Sequence, residues 1–78
     1  MPGSKRKPVQ ERIGVAVRRR REALKYSQDD FALHLDMHRS YYGALERGMK
    51  DLRLSTLERV CEGLGVPMWE VVKDAESQ

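Results

Sequence analysis

The sequence predicts an all-α protein, a compact five-helix bundle, and two observations carry this prediction. Apolar residues recur at spacings of three, four and seven, whereas no segment alternates apolar and polar residues as a strand does. Residues that start helices, such as Ser27, and residues that stop them, such as Gly48 and Gly65, divide the chain into short segments. A chain of 78 residues can bury one small core, so we expect a single domain.

Basic residues are concentrated in the first third of the chain. Residues 1–25 carry nine Lys/Arg and two Glu, a net charge of +7, whereas residues 26–78 carry six Lys/Arg and ten Asp/Glu, a net charge of −4. A basic end attracts nucleic acid or an anionic membrane surface, and a solvated charged face is the structural alternative. Residues 1–8 contain nothing to bury, so we expect a disordered basic arm in which Lys5, Arg6 and Lys7 follow a DNA backbone or simply fray.

The first three helices are predicted from their apolar faces and caps. The first covers residues 9–25, because Ile13, Val17 and Leu24 fall on one helical face. The second covers residues 28–35 with Ser27 as its N-cap, and the third covers residues 39–47 with His38 as its N-cap. Residues 36–37 form a tight turn between the second and third helices.

The last two helices complete a domain that we place at residues 9–74. The fourth ends near Leu64, and Ser55 is its local N-cap because Ser-Thr-Leu-Glu at residues 55–58 matches a capping box. The fifth covers residues 67–73, and residues 75–78 are expected to fray. Apolar residues expected to face the core from these two helices are Leu54, Leu57, Val60, Cys61, Leu64, Met68, Val71 and Val72.

Catalysis finds little support in the sequence. There is no Gly-rich phosphate loop and no nucleophile with a plausible base, and Cys61 lies on an apolar helical face where packing is expected. His34 and His38 have a spacing that can share a metal, but the predicted turn lies between them, so a surface position and a helix cap are favoured. We therefore expect a non-enzymatic protein with no cofactor, metal site or small-molecule effector. Its single cysteine and short apolar runs favour a cytoplasmic location without membrane contact.

Residues 27–48 strongly resemble the Cro/repressor-type (XRE) helix-turn-helix family, whose fold is the lambda-repressor-like DNA-binding domain. The likeness covers residues 13–72, and the run YGALERGMKDL is similar to controller proteins of restriction–modification systems. The residues that carry it are Arg21, Ser27, Gln28, Phe31, Ala32, Leu35, Arg39, Ser40, Tyr41, Tyr42, Leu45, Glu46, Arg47, Gly48, Leu54, Leu57, Val60, Leu64, Gly65 and Val66.

The resemblance implies a sequence-specific transcriptional regulator that binds double-stranded DNA at a near-palindromic operator. It would act as a homodimer, with a recognition helix at about residues 39–47 in the major groove. The alternative is a protein-interaction or adaptor module, or an antitoxin, that keeps the fold without independent sequence-specific regulation.

The resemblance also implies roles for individual residues. Arg39, Ser40 and Ala44 would read base edges, and Arg21 and Glu46 would form a salt bridge that joins the first helix to the recognition helix. The residues implied to contact phosphates are Gln28, Tyr41, Arg47 and Lys50. Plain surface charge remains the alternative for Arg39, Arg47 and Lys50, as does packing for Tyr41.

Several positions depart from the family pattern or add to it. Asp36 stands where the turn often has Gly, and Gly43 lies inside the recognition helix. Arg53 occupies the family's usual cap position for the fourth helix, a register that would start the helix at Leu54 instead of after Ser55. Trp69, a large apolar residue on a short terminal helix, is expected at a dimer interface formed by the last two helices, unless it folds over its own domain.

Overall fold

Five α-helices form the part of the chain that the computed structural model describes, residues 6–78. They are α1 (Val9–Ala23), α2 (Gln28–His34), α3 (Arg39–Glu46), α4 (Leu54–Leu64) and α5 (Met68–Glu76). No strand occurs within residues 6–78, so the predicted all-α, five-helix fold is confirmed. None of the helices in this range is both long and apolar enough to cross a membrane.

Side chains from all five helices share one core. Tyr42 of α3 packs edge-to-face on Phe31 of α2, with ring centroids 5.4 Å apart, and both are fully buried. Such aromatic pairs add stability beyond the area they bury. The remaining buried apolar residues are Ile13, Ala16, Val17, Ala32, Leu35, Leu45, Leu57, Val60, Cys61, Leu64, Val71 and Ala75.

Helix α1 crosses α3 in close contact at Gly14. A Cβ atom placed on Gly14 would lie 2.3 Å from the backbone oxygen of Glu46 and 2.9 Å from that of Leu45. Both distances are shorter than a Cβ atom can tolerate, so only glycine lets the two backbones approach this closely. The sequence offered no sign of this contact, because Gly14 lies within an ordinary helical pattern.

The C-terminal end of α1 differs from the prediction. The helix ends at Ala23 instead of residue 25, and Leu24, expected on the core face, is 49% exposed. The chain reverses at Lys25, whose φ of +69° is left-handed, so the helical periodicity that pointed Leu24 inward no longer applies.

The start of α4 corrects the predicted cap at Ser55. Arg53 is the N-cap and Leu54 the first helical residue, which is the register of the family pattern. Ser55 therefore lies inside the helix and cannot cap it. Leu54 is 74% exposed and does not join the apolar face, whereas Met49 and Leu52 of the preceding loop pack against the core.

Helix α5 runs beyond its predicted end and is tied to α1. It continues to Glu76, and Ala75, in the segment expected to fray, is completely buried. The Arg12 guanidinium donates to the backbone oxygen of Ala75 at 3.1 Å and to the Glu76 carboxylate at 3.0 Å, and Gln78 donates back to the Arg12 backbone oxygen at 2.8 Å. These long-range bonds, invisible to local sequence rules, extend the helix. Val72, expected to face the core, is exposed.

The predicted N-terminal arm is described only in part. Arg6 and Lys7 are exposed, and the Arg6 guanidinium donates to the backbone oxygen of Glu76 at 3.0 Å. Lys5 lies outside the described residues. The division into an arm, a domain and a C-terminal tail stays a prediction.

Candidate nucleic-acid interface

Side-chain caps define both helices of the α2–α3 pair. The Ser27 hydroxyl accepts a hydrogen bond from the backbone N–H of Asp30 at 3.0 Å, and Nδ1 of His38 accepts one from the backbone N–H of Ser40 at 3.2 Å. Between the helices, Asp36 adopts a left-handed φ of +56°, at the position where glycine is usual. His34 is exposed and stacks on the Tyr26 ring with centroids 5.3 Å apart, which agrees with its predicted surface position.

An arginine from α4 holds the turn between α2 and α3. The Arg59 guanidinium donates to the backbone oxygens of Leu35 and Asp36, the latter at 3.1 Å. The last carbonyl groups of a helix have no partner within that helix, so this contact satisfies the C-terminal end of α2. Sequence reasoning missed Arg59, because nothing in its local sequence distinguishes it from an ordinary surface arginine.

The candidates for base reading lie on α3. Arg39 is the first residue of the helix, and its Nε donates to the carboxylate of Asp29 on α2. Ser40 is exposed, with its hydroxyl oxygen 2.8 Å from Nδ1 of His38. Ala44 is half-buried, less open than its predicted place on the exposed face. The first turn of α3 therefore offers the polar groups, and Ala44 adds a small apolar surface.

Two of the phosphate candidates converge over Gly43. A Cβ atom placed on Gly43 would lie 3.3 Å from Nη1 of Arg47 and 3.8 Å from Oε1 of Gln28. Gln28, the first residue of α2, also donates its side-chain amide to Oε1 of Glu46 at 2.8 Å. An amide nitrogen carries two hydrogens, so one N–H of Gln28 remains for another acceptor.

The other two phosphate candidates lie further along the surface. Tyr41 is 40% exposed, and its hydroxyl oxygen is 3.3 Å from the hydroxyl of Thr56 on α4. Lys50 is exposed in the loop that joins α3 to α4. The structure thus brings Gln28 and Arg47 together, whereas Tyr41 lies beside α4 and Lys50 lies in the loop between α3 and α4.

A buried polar network joins α1, α2 and α3 behind this surface. Arg21 binds Glu46 with two hydrogen bonds, from Nε at 2.7 Å and from Nη2 at 3.1 Å. The Tyr42 hydroxyl and the Gln28 amide also donate to the Glu46 carboxylate, and Arg21 donates a further bond to the backbone oxygen of Tyr26 at 2.8 Å. This network joins Tyr42 of α3 and the phosphate candidate Gln28 to the same buried carboxylate.

The electrostatics of the network follow from burial and pairing. Desolvation by burial acts to raise the pKa of Glu46, but hydrogen bonds from Arg21, Tyr42 and Gln28 outweigh it, so the pKa lies below its usual value. Glu46 therefore stays ionised at neutral pH and holds the Gln28 amide as a charged acceptor.

Trp69 lies on α5 with its side chain largely in solvent. It is 63% exposed, so it does not fold into the core of its own domain. It lines a shallow groove together with Cys61, Val66, Pro67 and Met68. A large apolar side chain left in water beside a mostly apolar groove is typical of a surface that another molecule covers.

Comparison with known proteins relates this architecture to regulators. A family model described as Helix-turn-helix matches residues 17–68. Control protein C.MunI of Mycoplasma sp is 36% identical over 59 residues, covering 76% of this chain and 80% of that protein. Control protein C.BamHI of Bacillus amyloliquefaciens is 38% identical over 40 residues, covering 51% of this chain and 49% of that protein.

Solved structures show the same fold. The clp gene regulator ClgR from C. glutamicum superposes with a TM-score of 0.86 at 26% identity, covering 95% of both chains. A variant of the Restriction-Modification Controller Protein C.Esp1396I has a TM-score of 0.78 at 20% identity, covering 90% of this chain and 97% of that one. The second likeness concerns the fold alone.

Proposed function

Since this chain belongs to the helix-turn-helix (XRE-type) family of DNA-binding transcription regulators, we propose that it binds a near-palindromic operator as a dimer. The observation that carries this proposal is the exposed first turn of α3, where Arg39 and Ser40 present polar groups beside the N-terminus of α2. A major groove admits a helix in this way and displays a distinct set of hydrogen-bonding groups for each base pair.

Base reading is assigned to the outer face of α3. Arg39 suits a guanine, whose O6 and N7 accept two hydrogen bonds from one guanidinium, a contact that contributes about 1–3 kcal/mol of discrimination. Ser40 can donate to or accept from a base edge. Ala44 can only contact a thymine methyl group. Because this set is short, DNA shape and half-site spacing contribute to recognition as well.

Phosphate binding is assigned to the residues around that face. The free amide N–H of Gln28 and the backbone N–H groups at the start of α2 suit one phosphate, since helix N-termini attract anions. Arg47, which converges with Gln28 over Gly43, suits the same stretch of backbone. Tyr41 and Lys50 extend the contact along the strand. These bonds fix register and carry no sequence information.

Dimerisation is assigned to the surface around Trp69 on α4 and α5. A two-fold dimer through this surface would separate the two recognition helices by about one DNA turn, ~34 Å. Sedimentation of Trp69→Ala tests the assignment, and a dimer of unchanged stability removes Trp69 from the interface. The likeness to control proteins supports a narrower role as the controller of a restriction–modification system.

Selection from a pool of random duplexes tests the function directly. We expect an enriched inverted repeat, with Arg39→Ala relaxing the preference at one base position in each half-site. Gln28→Ala should weaken all sequences alike. If no sequence is enriched and binding at low salt fades equally on all duplexes as salt rises, specific recognition is wrong.

A further inference from the structure

We propose that Asp29 is a positioning residue that orients Arg39 for base reading, an inference that rests on the proposed function. The Asp29 carboxylate accepts a hydrogen bond from Nε of Arg39, ten residues away across the turn between α2 and α3. Both side chains are open to solvent, 72% exposed for Asp29 and 59% for Arg39. The pair therefore lies on the surface assigned to DNA and not in the core.

Helix stability alone does not require a carboxylate at Asp29. The first turn of α2 also contains Asp30, which complements the helix dipole in the same way, and the Ser27 hydroxyl already caps the helix. Within residues 6–78, Asp29 is the one acidic side chain in contact with Arg39. Asp29 and Asp30 thus have the same role at the start of α2, but only Asp29 contacts Arg39 of the recognition helix.

The contact leaves both terminal nitrogens of the Arg39 guanidinium free to donate hydrogen bonds. A guanidinium carries five N–H bonds, and Asp29 takes the single one on Nε. The two terminal nitrogens then keep the donors that O6 and N7 of guanine can accept. A long side chain that is already oriented loses less conformational entropy when it binds, so Asp29 strengthens discrimination without contacting a base.

The same carboxylate opposes DNA binding in general. Asp29 follows Gln28, which we assign to a phosphate, so its negative charge lies near the DNA backbone. Removing that charge should tighten binding to all duplexes at low salt, by about two- to fivefold. Asp29 should therefore lower overall affinity while it raises the preference for one base, two effects that a merely structural residue would not combine.

The test compares five proteins in one selection from random duplexes: wild type, Asp29→Asn, Asp30→Asn, Arg39→Ala and the Asp29→Asn/Arg39→Ala double variant. The position that Arg39→Ala relaxes identifies the base that Arg39 reads. Asp29→Asn should reduce the preference at that same position by about two- to tenfold and leave the other positions unchanged. Asp30→Asn should leave the preference at every position unchanged, and in an Arg39→Ala background Asp29→Asn should have no further effect on preference.

The outcomes separate this inference from the proposed function. A wild type that selects an operator, together with an Asp29→Asn protein that selects it equally well, overturns the role of Asp29 alone. An even loss of preference across all positions also overturns it. A wild type that enriches no sequence overturns the proposed function and this inference together. An NMR measurement on the free protein adds a check without DNA, because the Nε–H group of Arg39 should become more mobile in Asp29→Asn.

Discussion

Among the arginine–carboxylate pairs that join helices in the described part of the chain, Arg21–Glu46 is the most buried and Arg39–Asp29 the most exposed. The side chains of Arg21 and Glu46 are 8% and 2% exposed, whereas those of Arg39 and Asp29 are 59% and 72% exposed. Both pairs place a guanidinium against a carboxylate on a neighbouring helix. The buried pair shares its carboxylate with Tyr42 and Gln28, whereas water surrounds the exposed pair. Burial thus decides whether such a pair holds the fold or remains available to a ligand.

The difference follows from desolvation. A buried charge that loses its partner cannot recover the water it gave up, so breaking a buried pair destabilises a protein by several kcal/mol. An exposed pair exchanges its contact for water at little cost and is weakened further by salt. The buried pair is therefore a fixed part of the scaffold, whereas the exposed pair contributes little to the stability of the fold.

Replacing Arg21 should have the largest effect. Arg21→Met leaves the Glu46 carboxylate buried without its cation and should lower the free energy of unfolding by about 3–5 kcal/mol, measured by urea denaturation. Arg18→Met, which breaks an exposed pair with Glu22 on the same helix, should cost about 0.3–0.5 kcal/mol. Similar losses for the two variants would mean that burial does not separate the pairs.

Protonation of Glu46 at low pH should weaken the same network and destabilise the fold less than Arg21→Met does. The pKa of Glu46 is lower in the folded state than in the unfolded chain. The ionised carboxylate therefore stabilises the fold fully when the pH is above the pKa of the unfolded chain. This stabilisation should be lost as the pH falls through the lower pKa of the folded state. We expect the stability difference between wild type and Glu46→Gln to narrow between neutral pH and pH ~3, and a constant difference would contradict this.

A substitution at Gly43 tests whether the Arg47 side chain above it can move or is held rigidly like the buried network. Gly43→Ala should raise the free energy of unfolding by about 0.5–1 kcal/mol, since alanine favours the helix and the nearest atom is the flexible end of Arg47. Thermal unfolding measures the change, with Ala44→Gly as a control that should lose a similar amount. A loss of stability in Gly43→Ala would place Arg47 in the rigid part of the molecule.

Asp29→Asn should have the smallest effect on stability. We expect a change within about 0.5 kcal/mol by urea denaturation, because the pair with Arg39 lies in solvent. A loss as large as that of Arg21→Met would remove the distinction between the two pairs.

Features that local patterns encode were predictable from the sequence. Ser27 and His38 cap their helices as expected, and the apolar spacing found most of the core. Local rules failed where a distant partner decides the outcome. Ser55 matches a capping box, yet α4 starts at Leu54 with Arg53 as its N-cap. The bond from Arg59 to the end of α2 depends on tertiary packing that no local pattern records.

The candidate site was predicted unevenly for the same reason. The family pattern pointed to Arg39 and Gln28 as ligand contacts. It did not indicate that Arg39 binds Asp29 or that Gln28 binds Glu46, because these partners are ten and eighteen residues away. Sequence reasoning thus named these two candidate side chains and missed their contacts with Asp29 and Glu46.

The close crossing of α1 and α3 at Gly14 sets a limit for protein engineering. A library that varies residues 39, 40, 44 and 47 changes the outer face and the C-cap of α3 and leaves the contact between α3 and α1 unchanged. A larger residue at position 14 would instead push α3 away from α1, because its Cβ atom would lie 2.3 Å from the backbone oxygen of Glu46. Libraries that vary the outer face of α3 should therefore keep this glycine constant, so that α3 packs on α1 in the same way in every variant.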